Sequence, residues 1–240
     1  YLIWMGDILV MYAICGSIAY LMRTWKIKTL FIVGGIFFVI PILFSLTTYF
    51  FTPQEKLQEI FKFWTPNQEE TNLEIIAYQG SYIEQMTPRI AGAIQLQTLL
   101  FLMEQSWRIL SMMMLGMILY KKGILSAQKE RGFYQRLFII GLFTGIFLSG
   151  VGLYRAYTFE WNGIWYMNVG HSYNYIASLA VALGYIGLMM LWSKTSVLIG
   201  LQSRLKAVGR LAFTNYILTS IICTLIFYGH GLGLYATLDR

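Results

Sequence analysis

Apolar residues fill this chain in six long blocks, separated by short polar connections and one long one. The blocks run from Tyr1 to about Met22, Thr29 to Phe51, Thr98 to Tyr120, Leu137 to Tyr157, His171 to Trp192 and Ala207 to Tyr228. Each has roughly the 20 residues a helix needs to cross the ~30 Å hydrocarbon layer of a bilayer. Open strands are excluded there, because lipid offers no partner to unpaired backbone groups. The pattern therefore predicts an all-α fold, a polytopic transmembrane helical bundle with six spans, forming a single transmembrane domain over residues 1–240. Pro41 removes one helical hydrogen bond and predicts a kink in the second span. No fixed-period repeat is present.

Composition agrees. Of the 240 residues 57% are hydrophobic and only 12% charged, about half the charge of an ordinary soluble domain. The mean hydropathy is +0.58. These values exclude a typical soluble enzyme, a disordered chain and a nucleic-acid binder, and make the lipid bilayer the first partner. Cys15 and Cys223 both lie in apolar runs, so neither a disulfide framework nor a metal site is expected. The chain opens on Tyr1, already inside an apolar stretch, and reads as a fragment of something longer.

The net charge of +7 has a membrane explanation. Linkers 23–28, 121–136 and 194–206 hold Arg23, Lys26, Lys28, Lys121, Lys122, Lys129, Arg131, Arg136, Lys194, Arg204 and Lys206. The opposite connections hold only Lys56, Lys62, Arg89 and Arg155. Positive residues stay on the cytoplasmic side, so the three basic linkers are expected there, with both chain ends outside.

The long connection 52–97 is then an outer loop in which acidic residues outnumber basic ones. Leu57, Ile60, Phe61 and Trp64 recur at helical spacing and predict a short amphipathic helix on the outer interface. Thr65-Pro66-Asn67 reads as a break. Thr87-Pro88 reads as a helix cap followed by proline in the first turn, so the third span is expected to start there.

Ionisable residues inside spans are costly and mark function or a structural pair. Asp7 lies two turns into the first span. Glu104 and Arg108 are one turn apart in the third, placed to pair. Arg210 and Asn215 lie in the sixth. One reading is a polar chamber opening outward, lined by Asp7, Glu104, Arg108, His171 and Asn174. The other is a structural Glu104–Arg108 pair, with Asp7 reaching the interface and Arg210 anchoring its helix there. His171 and His230, both expected at the outer surface, have a side chain suited to general-base work or simply to an interface. Gly229, Gly231 and Gly233 alternate in a turn after the sixth span. They make a very weak dinucleotide-binding signal. Met112-Met113-Met114 and the many aromatic residues read as core packing and interfacial belts.

Several segments together resemble a known family. They are Trp4-Met5-Gly6-Asp7-Ile8-Leu9 with Tyr12-Ala13-Ile14, and Trp107-Arg108-Ile109-Leu110 leading to Leu115-Gly116-Met117-Ile118-Leu119-Tyr120-Lys121-Lys122-Gly123. The third is Val208-Gly209-Arg210-Leu211-Ala212-Phe213-Thr214-Asn215-Tyr216 with Ser220-Ile221-Ile222-Cys223-Thr224, continued by Ile226-Phe227-Tyr228-Gly229 and Gly231-Leu232-Gly233-Leu234. They resemble the YeiB-like bacterial integral membrane proteins, catalogued as domain of unknown function 418. The resemblance implies a longer protein of the bacterial inner membrane. It also implies a distant relationship to transmembrane acyltransferases, which move an acyl group from a cytoplasmic donor such as acetyl-CoA to an acceptor, often a sugar. Their catalytic histidine has no match here, so no catalytic role carries over.

Three functions stand open. In an acyltransferase, Asp7, Glu104 or His171 would handle the acceptor proton, and Arg108, Arg210 and Asn215 would bind donor or intermediate. In a transporter or permease for a small solute, the same residues would bind solute or relay protons. A scaffold would need them only for stability.

Overall fold

The computed structural model describes residues 2–62 and 65–237, and every regular element among them is helical. In chain order these are α1 (Leu9–Leu21), α2 (Ile27–Phe51), α3 (Gln54–Ile60), α4 (Gln68–Gln79) and α5 (Met86–Gln95). A π-helical segment, Leu96–Gln105, leads into α6 (Ser106–Lys121), followed by α7 (Arg131–Thr158). The single turn α8 (Gly163–Trp165) runs through a second π segment, Tyr166–Gly170, into α9 (His171–Ser193). Then come α10 (Ile199–Arg210) and α11 (Ala212–Phe227).

Among the described residues three helical runs are long and apolar enough to cross a membrane: Ile27–Phe51, Arg131–Thr158 and Gly163–Ser193. Only 17% of each apolar stretch is buried within the protein, so their aliphatic and aromatic side chains face outward, as lipid-facing helices require. A fourth is reached if α10 and α11, bent by 75° at Leu211, count as one. The six spans expected from the sequence thus reduce to three or four, and the physical reasons are local. In the first block Asp7 Oδ1 accepts from the Leu9 amide at 2.9 Å and so starts α1 late. Its 13 residues rise about 20 Å, short of the hydrocarbon thickness. The third block runs without a break from the π segment into α6, but Glu104, Gln105 and Arg108 interrupt its apolar run. The sixth is broken at Leu211, where Asn215 Nδ2 reaches back to the Val208 carbonyl (3.4 Å), a side chain inserted into the backbone ladder. The expected basic linker 194–206 is largely taken up by α10. α2 continues unbroken through Pro41, which is buried.

The expected outer loop contains more helix than its sequence promises. α3 forms as expected around Leu57, which is fully buried, while Ile60 is exposed; Trp64 lies outside the described residues. Asn67 then caps α4 in a reciprocal capping box with Glu70, which satisfies two otherwise orphaned amides. α5 starts at Met86, one residue ahead of Thr87-Pro88.

The chain forms two compact units. The first comprises residues 1–15, 66–106 and 198–240, the second residues 16–65 and 107–197. In the second unit α7 packs on α9 through small residues. A Cβ on Gly141 would lie 2.6 Å from the Gly184 amide nitrogen, and one on Gly187 would lie 2.6 Å from that of Phe138. Backbones that close admit only glycine, the usual means of helix association where hydrophobic driving force is absent. α6 ends in a Schellman motif: Gly123 adopts φ +69°, its amide bonds Tyr120 O and the Ile124 amide bonds Leu119 O. Leu119, Ile124 and Tyr134 then form a buried cluster.

Candidate functional site

In the first unit, α5 presents Gln85 and Arg89 four residues apart on one face, and both are completely buried. Gln85 Nε2 donates to the carbonyls of Tyr78 (3.2 Å) and Gly80 (2.8 Å). These two bonds fix the amide, so Gln85 Oε1 is the atom that meets His230 Nδ1, at 3.0 Å. A carboxamide oxygen only accepts, so Nδ1 carries the proton and the neutral ring keeps its lone pair on Nε2. Burial, and secondarily the Arg89 charge, hold the His230 pKa below its usual value. The imidazole is therefore neutral at pH 7.

Arg89 is enclosed by aromatic faces. Its guanidinium carbon lies 5.3 Å from the Tyr82 ring centre and 5.8 Å from that of Tyr228, within cation–π range. Its Nη2 donates to the Leu2 carbonyl. Tyr78, Tyr228 and Tyr235 pack ring against ring. Burial raises all three phenol pKa values, and Tyr235 donates to Glu74 at 2.8 Å. The glycine turn makes this packing possible. The Gly229 amide donates to Tyr78 O at 2.9 Å, and a Cβ on Gly229 would fall 1.8 Å from Gln79 O.

Tyr228 and Tyr235 also wall a cavity of about 550 Å³ with Trp4, Tyr216, Thr219 and Ser220. That volume suits a small ligand. Behind it, Tyr216 donates to Asp7 Oδ1 at 3.0 Å. Asp7 thus accepts from both a helix amide and a phenol.

The second unit holds a different cluster. Arg108 Nη2 donates to Ser178 Oγ at 2.9 Å, and its guanidinium carbon sits 4.4 Å from the Tyr175 ring centre. The ring of His171 meets Tyr175 edge-on at 5.8 Å. Arg108 and His171 therefore converge on one buried tyrosine, while Asn174 points outward.

The residues that the sequence groups into one chamber are distributed between the units. Asp7, Glu104, Arg210 and Asn215 belong to the first; Arg108, His171 and Asn174 belong to the second. Glu104 is half-buried in the π segment, Arg210 is exposed at the end of α10, and Asn215 holds the bend beside it. Sequence reasoning left Arg89 as one loop charge among several and His230 as an interfacial residue. The signals were there: Gln85, Arg89 and Ala93 repeat every four residues, and the flanking Gly229 and Gly231 are the mark of a crowded turn.

The family described as "Protein of unknown function (DUF418)" matches residues 119–240. The chain is 32% identical over 245 residues to the uncharacterized protein YxaH of Bacillus subtilis (strain 168), covering 98% of this chain and 56% of that protein. It is 27% identical over 243 residues to the uncharacterized protein YeiB of Escherichia coli (strain K12), covering 100% of this chain and 61% of that protein. The chain spans little more than half the length of these curated relatives. No solved structure matches it.

Proposed function

The chain belongs to the DUF418 family, and from that premise we propose that it is part of a multi-pass acyltransferase of the bacterial inner membrane. The observation that carries this reading is the His230–Gln85 contact beside buried Arg89. A neutral imidazole, oriented through Nδ1 and holding its lone pair on Nε2, is equipped as a general base. A desolvated guanidinium nearby favours the negative charge that develops when an acyl carbonyl is attacked.

In the proposed reaction an acyl-CoA donates and a small-molecule or sugar hydroxyl or amine accepts. His230 Nε2 takes the acceptor proton as the acceptor oxygen or nitrogen bonds to the thioester carbonyl carbon. The C–S bond then breaks, and the departing thiolate recovers the proton as the CoA thiol. The cavity walled by Tyr216, Tyr228 and Tyr235 receives the acceptor. Asp7 supports it through Tyr216, and Arg210 and Asn215 are the proposed donor-side contacts. The basic segments 23–28, 121–136 and 194–206 face the cytoplasm, where acyl-CoA is found. The reaction at His230, on the outer side, therefore requires the acyl-bearing arm to reach across the membrane domain.

Calorimetry of acetyl-CoA with the purified full-length protein tests this reading. Saturable binding, weakened by Arg210→Ala, supports it. Absence of binding by folded protein overturns it.

One observation favours a second reading, a transporter or permease for a small solute. The 75° break between α10 and α11 resembles the discontinuous helices that build transporter sites. Accumulation of chemically unchanged solute in sealed vesicles would establish it in place of acyl transfer.

A further inference from the structure

The helix α10 has no buried residue, and nothing lies within 4 Å of where a Cβ would stand on Gly200 or Gly209. At about 100° per residue, Leu201, Leu205 and Val208 share one narrow face, and all three are exposed. Arg204 borders that face, and Lys206, Arg210, Ser203 and Ala207 lie on the far side. No Asp or Glu occurs between Glu160 and Asp239, so this stretch carries unopposed positive charge. The bend to α11 is 75°. If the apolar α11 runs along the bilayer normal, α10 lies nearly in the membrane plane.

From these observations we infer that α10 is an in-plane interfacial helix whose occupant is the headgroup–acyl boundary of an anionic bilayer. Leu201, Leu205 and Val208 sink to the acyl boundary. Arg204 at the edge of that face and Lys206 on the polar side engage anionic phosphate headgroups. An apolar lipid-facing stripe with cationic residues on the polar side is the pattern such helices use, and the charge complement selects anionic lipid over neutral. The inference is independent of the reaction proposed above.

The test places the full chain in nanodiscs of phosphatidylglycerol or of phosphatidylcholine. Spin labels are attached at Leu201→Cys, Ser203→Cys, Leu205→Cys, Ala207→Cys and Val208→Cys in a Cys15→Ala, Cys223→Ala background. With phosphatidylglycerol, labels at 201, 205 and 208 should be accessible to oxygen, and those at 203 and 207 to a water-soluble nickel complex. The alternation should fade in phosphatidylcholine and in the R204Q/K206Q variant. For the unaltered chain, trypsin cleavage after Arg204 and Lys206 should be several-fold slower in phosphatidylglycerol. A depth that changes steadily along α10 would overturn the inference, as would shielding of every position from both reagents by covering protein. The same profile and cleavage rate in both lipids would also overturn it.

Discussion

His230 Nδ1 lies 3.0 Å from Gln85 Oε1, and the same glutamine is tied by its nitrogen to the carbonyls of Tyr78 and Gly80. One buried side chain therefore both closes the α4–α5 turn and selects the histidine tautomer. Replacing it by an apolar isostere, Gln85→Leu, strands the Gly80 carbonyl and the His230 Nδ1–H, while the Tyr78 carbonyl keeps the Gly229 amide. The expected cost is about 1–3 kcal/mol for each stranded buried group, read as a lowered melting temperature in detergent. Nitrogen NMR of His230 should change from a single Nδ1–H tautomer to a mixture.

Stability should follow pH through the same residue. The folded pKa of His230 is depressed, by burial first and by Arg89 second. The unfolded chain therefore binds this proton more readily than the folded one. Its contribution is complete above the unfolded value of about 6.5 and is lost as pH falls from there to the depressed folded value, below which it stays constant. Melting temperature measured across this window should fall with acidification, and His230→Gln should flatten that part of the profile.

The α7–α9 contact should tolerate no side chain. Gly184→Val places carbon against the Leu142 backbone, where even a Cβ stands only 2.8 Å from the amide nitrogen. Overpacking costs about 1–3 kcal/mol when neighbours can shift, and backbone cannot shift as a side chain does. Thermal unfolding should show a loss at the upper end of that range, whereas Gly150→Val, with nothing within 4 Å of its Cβ position, should change little.

Helical class, apolar blocks and the crowded glycine turn were legible in the sequence because they depend on composition and local chemistry. The number of crossing helices was not. Hydropathy does not register that Asp7 delays α1, or that Asn215 reaches back to Val208 and breaks the sixth block. The candidate site was half legible. Asp7 and Arg108 stood out as charges in apolar runs, and each has a defined partner, Tyr216 and Ser178. His230 was hidden because its importance comes from a contact with Gln85 across 145 positions of chain, and Arg89 because a charge in a polar connection gives no sign of its complete burial.

Asp7 and Tyr216 should behave as a coupled pair. Tyr216→Phe removes two hydrogen bonds, the one donated to Asp7 and the one accepted from the Ile8 amide, at about 0.5–1.5 kcal/mol each. Asp7→Ala removes the Asp7–Tyr216 bond and the cap on α1, the latter adding about 1 kcal/mol. A double-mutant cycle by chemical or thermal unfolding should therefore show non-additivity of about 0.5 kcal/mol or more. Strict additivity would mean that the hydrogen bond adds nothing to stability.

The most direct test of the central claim is the pH dependence of thiol release from acetyl-CoA by the purified full-length protein, with glucosamine as acceptor. The account predicts a rate that rises with pH through a midpoint below 6.5, where His230 loses its proton, and then levels. His230→Gln should reduce the plateau by a factor of about 10² or more while the protein stays folded. Undiminished thiol release from that variant, or a folded wild type that binds acetyl-CoA and never releases thiol, would contradict the account.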